Sequence, residues 1–252
     1  MSLRDYRKLK TKKGRDDTGL FVVEGEKFVA EIPPHWVVEQ YIIAQSYAAS
    51  HNISHYETRS KCDVVRDSIF NNIADTVSPQ GVLAICHKKS HNPESFLINS
   101  GKQFILLGEN LNDPGNIGAL IRTGAAAGVT GVILTAGSGD IYNPKVLRAA
   151  AGAVLRLPHI VQDITLEEAV ELVKKSQTPI YAAHPRGNNL PYNLDFCNNT
   201  CLLVGNESHG ITDKAANLAD ALVTLPMVNN TESLNASVAG SVLMYEAVRQ
   251  RL

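Results

Sequence analysis

The 252-residue sequence lacks several features that would assign it to a common protein class. No apolar run approaches the roughly 18–20 residues that a membrane-spanning helix needs. The N-terminal segment is charged and has no apolar stretch behind it, so we expect neither a secretory signal nor a membrane segment. We therefore expect a soluble protein of the cytoplasm. The net charge of −1 gives no global indication of a nucleic-acid partner.

Cysteine is also scarce, with four residues in the chain. Their spacing shows none of the close pairs that are typical of zinc sites, so we predict no bound metal. Cys86 and Cys201 lie in the apolar runs GVLAIC and TCLLVG, which indicates small buried side chains. We expect reduced thiols rather than disulfides.

The common nucleotide-binding fingerprints are missing. A Rossmann domain needs G-x-G-x-x-G between a strand and a helix, whereas the turn after QFILLGE reads NLNDPGNIGA. The stretch GNESHGIT has two suitably spaced glycines but no lysine after the second, which argues against a Walker loop. A nucleotide-like ligand would therefore need a binding site of another kind.

The residues that are present predict two α/β parts. Hydrophobic residues make up 44% of the chain, which is enough for a substantial core. In the first part, LFVVEG, WVVEQYIIA and GVLAIC alternate with the helix-like segments EKFVAEI and KCDVVRDSIF, and predict a small three-layer α/β unit. The polar stretch HKKSHNPESFLINSGKQ predicts a boundary, so we assign residues 1–95 and 96–252 to separate domains.

The second part alternates more regularly. Its runs QFILLGE, GVILTA, TPIYAAH, CLLVGNE and ALVTLP are almost wholly apolar, as expected for parallel strands covered on both faces. Thr165 and Glu168 predict a capping box at the start of one intervening helix. The last helix, Asn235 to Arg251, has an apolar stripe on one side, formed by Val238, Val242, Tyr245 and Val248.

The helix after the first of these strands carries an unusual arginine. We expect Pro114 and Gly115 to form a tight turn and Asn116 to cap the helix. Arg122 falls well off the apolar stripe that begins at Ile117, so it is aimed away from the core. Because open α/β sheets bind ligands at the carboxyl ends of their strands, this position favours a functional role.

Two further strands end in polar turns. GNE follows CLLV at Gly205, and a polar loop that leads to Ser233 and Asn235 follows the strand that ends near Leu225. The carboxyl ends of parallel strands meet at one edge of a sheet, so the three turns predict one polar cleft. His184, Pro185 and Arg186 also follow a strand and could reach this cleft, although a loop without a role is the favoured interpretation.

The segments NDPGNIGALIRTGAAAG, LLVGNESHGI and LPMVNNTESLNASVAG resemble, in this order, the three signature motifs of the SpoU/TrmH family of SPOUT-class RNA 2′-O-ribose methyltransferases. FVVEGEKFVAE is similar to the L30e-like substrate-binding domain that precedes the catalytic domain in ribosomal RNA members. The resemblance implies a C-terminal SPOUT parallel-sheet domain with a trefoil knot. It also implies S-adenosylmethionine as the methyl donor and a homodimer formed through the last helix.

The resemblance also implies roles for particular residues. Arg122 matches the family's catalytic arginine, and Asn116 would orient the ribose or Arg122. A guanidinium is a poor base, so we expect Arg122 to bind the adjacent phosphate and to stabilise the developing alkoxide charge. The other catalytic candidates, each of which could instead be structural, are Glu207, Ser233 and Asn235. The candidates for donor binding are Gly205, Leu225, Met227 and Leu234.

A dense basic segment near the N-terminus is opposed only by Asp5. It could hold RNA phosphates through counterion release, or it could be a solvated terminal helix. Arg148 and Arg156 in the second part could meet RNA phosphates in the same way, or they could be an exposed basic pair. The candidates for RNA contact are Arg4, Arg7, Lys8, Lys10, Lys12, Lys13, Arg15 and Arg148.

The leading hypothesis is S-adenosylmethionine-dependent 2′-O-methylation of a ribose in RNA, with 23S ribosomal RNA as the substrate. A transfer RNA 2′-O-methyltransferase is an alternative within the same class. A non-catalytic RNA-binding or ribosome-assembly protein on the same scaffold, and a generic α/β enzyme that acts on small molecules, are the alternatives from other classes.

Overall fold

The chain forms two compact units. One comprises Met1–Ser90 with Tyr142–Leu155, and the other comprises His91–Ile141 with Arg156–Leu252. The predicted domain boundary between residues 95 and 96 lies outside the described residues, so that division stays a prediction. The computed structural model describes residues 3–89, 93, 101–229 and 231–252, and the side chains from residue 6 onward.

The secondary structure alternates along the chain. The strands are β1 (Leu20–Glu24), β2 (Val38–Ala44), β3 (Lys61–Val65), β4 (Val82–His87), β5 (Phe104–Gly108), β6 (Gly131–Thr135), β7 (His159–Ile164), β8 (Ile180–Ala183), β9 (Thr200–Val204) and β10 (Ala221–Val223). The helices are α1 (Leu3–Lys8), α2 (Lys12–Thr18), α3 (Glu26–Ala30), α4 (Gln45–Ser50), α5 (Ser54–Arg59), α6 (Asp67–Ile73), α7 (Pro114–Ala127), α8 (Pro144–Ala149), α9 (Leu166–Lys175), α10 (Asp213–Leu218) and α11 (Ala236–Arg251). Short 3-10 turns cover Ala153–Arg156 and Pro191–Asn193. Within the ranges that the structure describes, no helix is both long and apolar enough to cross a membrane.

The first unit is built on a mixed sheet with the order β1-β4-β2-β3. β4 runs antiparallel to β1 and to β2, and β3 runs parallel to β2. The prediction of a helix over KCDVVRDSIF was wrong in its first half, because Lys61–Val65 pairs with β2 and the helix begins only at Asp67. Tertiary pairing of a run with two β-branched valines outweighed the helical pattern.

The second unit is built on a six-stranded sheet with the order β10-β8-β9-β5-β6-β7, and all its pairings are parallel. The five predicted strands are confirmed as β5, β6, β8, β9 and β10. The edge strand β7 was missed because its sequence, HIVQDI, mixes polar and apolar residues. β9 enters between β8 and β5, which both precede it in the chain.

Two helices of the second unit pack closely on one another. α11 lies against α7, and a Cβ on Gly240 would lie 2.5 Å from Leu120 Cδ2, so a larger residue at this position would have to displace the Leu120 side chain. The far end of α11 is held by Arg251, whose Nε donates to the Phe196 carbonyl at 2.8 Å and whose guanidinium lies 4.3 Å from the Phe104 ring centre. The capping box of Thr165 and Glu168 on α9 is confirmed.

The cysteines are free thiols. Cys86 and Cys201 are fully buried in β4 and β9, as predicted. Burial raises the pKa of the Cys86 thiol to about 12, so it stays protonated at neutral pH and packs as an apolar side chain. Among the described residues, no cluster of His, Cys, Asp and Glu has the arrangement of a metal site.

Candidate functional site

The polar turn after β5 is closed by Asp113. Its carboxylate accepts a hydrogen bond from the Asn116 backbone amide at 2.8 Å and so caps α7. The prediction that Asn116 caps the helix was wrong, because Pro114 occupies the first helical turn, where its missing N–H costs nothing. Asn116 therefore lies inside the helix, and its side-chain amide is available for other contacts.

Hydrogen bonds join three distant segments at this turn. The Glu207 carboxylate, just after β9, accepts from the backbone amides of Asn112 at 3.3 Å and Asp113 at 3.0 Å. It also accepts from Asn116 Nδ2 at 3.2 Å. Asn116 Oδ1 in turn accepts from Asn235 Nδ2 at 3.0 Å. This Glu207–Asn116–Asn235 chain brings together residues of all three sequence motifs.

The environment of Glu207 keeps its carboxylate ionised. Burial acts to raise its pKa, but the hydrogen bonds from its own backbone amide, from those of Asp113 and Asn112, and from the Asn116 side chain outweigh burial and lower the pKa. An ionised carboxylate whose oxygens are already occupied by amide donors is a weak candidate for a general base. The hydrogen bonds from the Asn112 and Asp113 amides indicate that Glu207 holds the turn after β5 in place.

Asn235 has a second function at the start of α11. Its Oδ1 accepts from the Ser237 backbone amide at 2.8 Å, from Ser237 Oγ at 2.7 Å and from the Val238 backbone amide at 3.2 Å. The sequence left open whether Ser233 or Asn235 caps this helix, and the structure assigns the cap to Asn235. Asn229 in the preceding loop adopts a left-handed conformation with φ of 56°, which asparagine tolerates better than most residues.

A cavity of about 290 Å³ opens at the ends of β8, β9 and β10, against α11. The predicted donor-binding residues all line it, as do two of the predicted catalytic residues. These are Gly205, Glu207, Leu225, Met227, Ser233 and Leu234. The structure therefore collects in one place residues that the sequence distributes over 30 positions.

In the loop after β9 the chain packs closely against itself. A Cβ on Gly205 would lie 2.3 Å from the Gly210 carbonyl carbon and the Ile211 nitrogen, so only glycine fits. Asn206 and Gly210 exchange two backbone hydrogen bonds, of 3.0 and 2.9 Å. The Asn206 side chain accepts from the Ser208 and His209 amides at 2.9 and 3.1 Å and so fixes the turn between them.

Sequence reasoning missed Glu109, which anchors the far end of this loop. Its side chain is buried at the end of β5, and it accepts hydrogen bonds from the Thr212 amide at 2.9 Å and from Thr212 Oγ1 at 2.7 Å. The sequence signal that could have identified Glu109 is an acidic residue directly after a wholly apolar strand. Because Glu109 adjoins the first motif and Thr212 follows the second, this pair is a further link between the two.

The cavity has the kind of lining that is expected of a nucleoside site. It is lined by the apolar residues Val204, Leu225 and Leu243 and by polar residues such as Asn206 and Ser233. Apolar walls with a few fixed polar groups are typical of sites for such ligands.

Arg122 is placed differently from the other candidates. It is exposed on α7 and makes no hydrogen bond or ion pair with any residue that the structure describes. No residue of α7 lines the cavity. The structure therefore confirms that Arg122 points away from the core, but it does not bring this guanidinium to the cavity of the same chain.

The basic N-terminal candidates divide into exposed and buried residues. Arg15 is only 2% exposed, and its Nη1 donates to the Leu9 carbonyl at 2.8 Å, so its assignment to RNA contact is corrected to a structural role. Arg148 forms an ion pair with Asp75. The Arg4 side chain lies outside the described residues. The exposed candidates on or next to α1 and α2 are Arg7, Lys8, Lys10, Lys12 and Lys13.

The turn after β8 reaches the cavity, which was the less favoured of the two interpretations of its sequence. His184, Pro185 and Arg186 all line the cavity. β8 pairs in parallel with β9, so the ends of both strands open onto the same edge of the sheet. Strand adjacency, which the sequence does not specify, was the missing information.

The sequence of the chain matches two protein-family models and a known protein. The model of the SpoU rRNA Methylase family matches residues 103–245, and that of the MRM3-like substrate binding domain matches residues 1–84. The chain is 31% identical over 245 residues to the 23S rRNA (guanosine(2553)-2′-O)-methyltransferase RlmP of Bacillus subtilis, covering 96% of this chain and 94% of that protein.

Two solved structures are similar over nearly the whole chain. An AdoMet-bound rRNA methyltransferase from Sinorhizobium meliloti superposes with a TM-score of 0.88 at 27% identity, over 99% of this chain and 95% of the other. The SpoU methyltransferase AviRb from Streptomyces viridochromogenes, in complex with AdoMet, also superposes with a TM-score of 0.88, at 25% identity, over 99% of this chain and 97% of the other.

Proposed function

Since the chain belongs to the SpoU rRNA Methylase family, we propose that it transfers a methyl group from S-adenosylmethionine to a ribose 2′-hydroxyl of 23S ribosomal RNA. The observation that carries the proposal is the Glu207–Asn116–Asn235 chain, which joins the three motifs beside a cavity lined by the predicted donor-binding residues. Ribosomal RNA as the substrate assigns the enzyme to the cytoplasm.

The residues of the cavity are suited to the donor. Gly205, Leu225 and Leu234 would flank the adenosyl group, with Met227 nearby. S-adenosylmethionine, when bound, supplies a methyl group that is already activated on a sulfonium. The protein then has to exclude water, hold the target hydroxyl in line with the methyl group and stabilise the charge that develops on the ribose oxygen.

Arg122 and Asn116 carry this part of the proposal. An unpaired guanidinium cannot act as a base, but it can bind the phosphate next to the target ribose and stabilise an oxyanion. Asn116 is held at both ends of its amide by Glu207 and Asn235, so it can present a fixed orientation to the RNA. Ser233 is exposed at the cavity and is available as a substrate contact.

We also propose that the enzyme is a homodimer formed through α11. Val238, Val242 and Tyr245 are 46%, 45% and 55% exposed, although all are apolar or aromatic and lie on one stripe of the helix. The opposite side of α11 packs inside the second unit, with Gly240 and Leu243 buried. A second copy of the chain on this stripe would cover the exposed side chains. Arg122 of one copy could then serve the methyl-donor cavity of the other copy.

RNA binding is assigned to the first unit together with the second. The match to a substrate-binding domain and the exposed cations of α1 and α2 support this assignment. These cations are Arg7, Lys8, Lys10, Lys12 and Lys13, of which Lys10 donates to the Ala74 carbonyl at 3.2 Å. Counterion release from phosphates would supply much of the affinity.

Methyl transfer to ribosomal RNA tests the proposed function. The protein is incubated with labelled S-adenosylmethionine and with 23S ribosomal RNA from cells that lack it, and the RNA is digested to nucleosides. We expect one 2′-O-methylnucleoside that is absent from reactions without protein. Transfer to transfer RNA instead would support the other substrate, and donor binding without transfer to any RNA would favour a non-catalytic RNA-binding protein.

Arg122→Ala tests the assigned role of the guanidinium. Because Arg122 is exposed and has no partner among the described residues, we expect the fold to be retained and transfer to fall at least about 100-fold, the loss typical of an oxyanion-stabilising donor. Arg122→Lys, which keeps the charge but not the bidentate geometry, should recover only part of the rate. Full turnover by the alanine variant would remove Arg122 from the mechanism.

A further inference from the structure

One side chain at the cavity has a charge that nothing in the described structure neutralises. Arg186 is exposed at the end of the turn after β8, where it lines the cavity, and its guanidinium has no hydrogen bond or ion pair with any described residue. Glu207 provides the carboxylate of the cavity lining, and amide donors already occupy its oxygens. Arg186 is therefore available to pair with a negatively charged group of a ligand.

The turn that presents Arg186 is fixed. The Arg186 backbone amide donates to His184 Nδ1 at 3.1 Å, and the Gly187 amide donates to the His184 carbonyl at 3.1 Å. Thr224 Oγ1 donates to the Pro185 carbonyl at 3.0 Å. A Cβ on Gly187 would lie 2.8 Å from the Leu222 carbonyl group, so the turn lies directly on β10. These contacts hold the backbone at Arg186 in place, so that its long cationic side chain is presented at the cavity.

The position of Arg186 distinguishes it from Arg122. Arg186 follows β8, which pairs with β9 and β10, whereas Arg122 lies on α7 after β5. β5 lies on the other side of β9 from β8, so the two arginines belong to opposite sides of the strand that carries the second motif. Arg122 is assigned to the RNA side of the reaction, which leaves the donor as the ligand nearest to Arg186.

We infer that Arg186 binds the α-carboxylate of the methyl donor and so fixes its amino-acid end, while the apolar walls hold the adenosine. The inference rests on the proposed function, because it requires the donor to occupy this cavity. The carboxylate is the one negatively charged group of S-adenosylmethionine, and an arginine fork matches its two oxygens. Arg186 is then a donor-binding residue that sequence reasoning had left without a role.

Two ligands that differ only in the amino-acid end test the inference. S-adenosylhomocysteine carries the carboxylate, whereas 5′-methylthioadenosine keeps the adenosine and sulfur and lacks the amino-acid end. Titration calorimetry measures both ligands with the unaltered protein, with Arg186→Met and with Lys174→Met. Lys174 is an exposed cation on α9 that does not line the cavity, so it controls for the change in net charge.

We expect Arg186→Met to weaken S-adenosylhomocysteine binding about tenfold, within the range of a charged hydrogen-bonded pair, and to change methylthioadenosine binding less than about twofold. Arg186→Lys should recover part of the loss, and Lys174→Met should match the unaltered protein. Equal losses for the two ligands would overturn the inference, because Arg186 would then contact the adenosine or shape the cavity.

Two other outcomes are distinguishable. If Arg186→Met leaves both ligand affinities unchanged but weakens RNA binding and flattens its salt dependence, the guanidinium contacts an RNA phosphate and the inference is wrong. If the unaltered protein binds neither adenosine ligand and transfers no methyl group, the proposed function itself fails.

Discussion

At the scale of single residues, the site depends on amides that each serve two purposes. Asn235 caps α11 through its oxygen and contacts Asn116 through its nitrogen. Asn116 uses its own nitrogen for Glu207 and its oxygen for Asn235. Asparagine provides a donor and an acceptor in one planar group, which aspartate and alanine do not. The sequence identified these residues, but it did not reveal that they contact one another.

Substitutions at Asn235 separate the cap from the link to Asn116. Asn235→Ala removes both and should cost about 1 kcal/mol of unfolding free energy, as is typical of a lost N-cap. Asn235→Asp keeps the accepting oxygen and should retain stability, but it has no donor for Asn116 and should lose methyl transfer. Chemical denaturation and transfer assays measure the two effects. Full activity of the aspartate variant would show that the link is dispensable.

Glu207 predicts a dependence of stability on pH. Its pKa is lowered in the folded protein, so the carboxylate stabilises the fold above the pKa of the unfolded chain, and this contribution is lost as the pH falls through the lower folded value. Glu207→Gln should therefore cost about 1–2 kcal/mol at neutral pH. The difference from the unaltered protein should shrink as the solution is acidified below the ordinary glutamate pKa of 4.5.

Denaturation of both proteins over a series of pH values measures this difference. A difference that stayed constant down to the acid limit of folding would mean that the charge of Glu207 does not stabilise the turn after β5. Asn116→Ala provides a comparison, because it removes one donor to Glu207 and leaves both backbone amides in place.

At the scale of secondary-structure elements, the apolar runs predicted most of the second unit. β5, β6, β8, β9 and β10 are wholly or mostly apolar and were recognised, whereas β7 and β3 were not. Both missed strands lie at the edge of a sheet, where one side of the backbone is unpaired and the sequence carries fewer apolar residues. The periodicity of α11 was also correct, but it did not reveal which side is buried.

The exposed stripe of α11 predicts dimerisation. Val242→Glu places a charge in the middle of the stripe and should convert a dimer into a monomer, with loss of methyl transfer, because burying an unpaired carboxylate in an interface is costly. Val77→Glu makes the same change at a fully exposed valine of the first unit and should alter neither property. Sedimentation velocity measures the association state. A monomeric unaltered protein with full activity would contradict the proposed dimer.

At the scale of the whole molecule, sequence patterns predicted two parts, a division that stays a prediction, and they did not indicate which charges are accessible. Arg15 and Arg148 belong to the predicted basic set, yet one is buried and the other is paired with Asp75. Charge is read directly from the sequence, whereas burial depends on contacts such as that of Arg15 with the Leu9 carbonyl. Strand order is likewise not read directly from the sequence. It decides the position of Arg186, because β8 lies beside β9.

The exposed N-terminal lysines predict the salt dependence of RNA binding. Deleting the segment would also remove the buried residues Tyr6, Leu9 and Arg15, so glutamine substitutions are the better test. Changing Lys8, Lys10, Lys12 and Lys13 should weaken RNA binding and reduce the slope of log affinity against log salt by up to about 3, if each lysine contacts one phosphate.

A matched control changes four exposed lysines of the second unit to glutamine, namely Lys102, Lys174, Lys175 and Lys214. This variant has the same net charge and should keep the slope of the unaltered protein. Equal slopes for the two variants would mean that the N-terminal lysines belong to a solvated surface.

The central claim is that three motifs far apart in the sequence form one site for the methyl donor. A crystal structure of the protein with S-adenosylhomocysteine tests it most directly. The account predicts the adenosyl group in the cavity beside Gly205, Leu225 and Leu234, with the Glu207–Asn116–Asn235 hydrogen bonds intact. An adenosyl group bound elsewhere on the protein, with this cavity left to solvent, would contradict it.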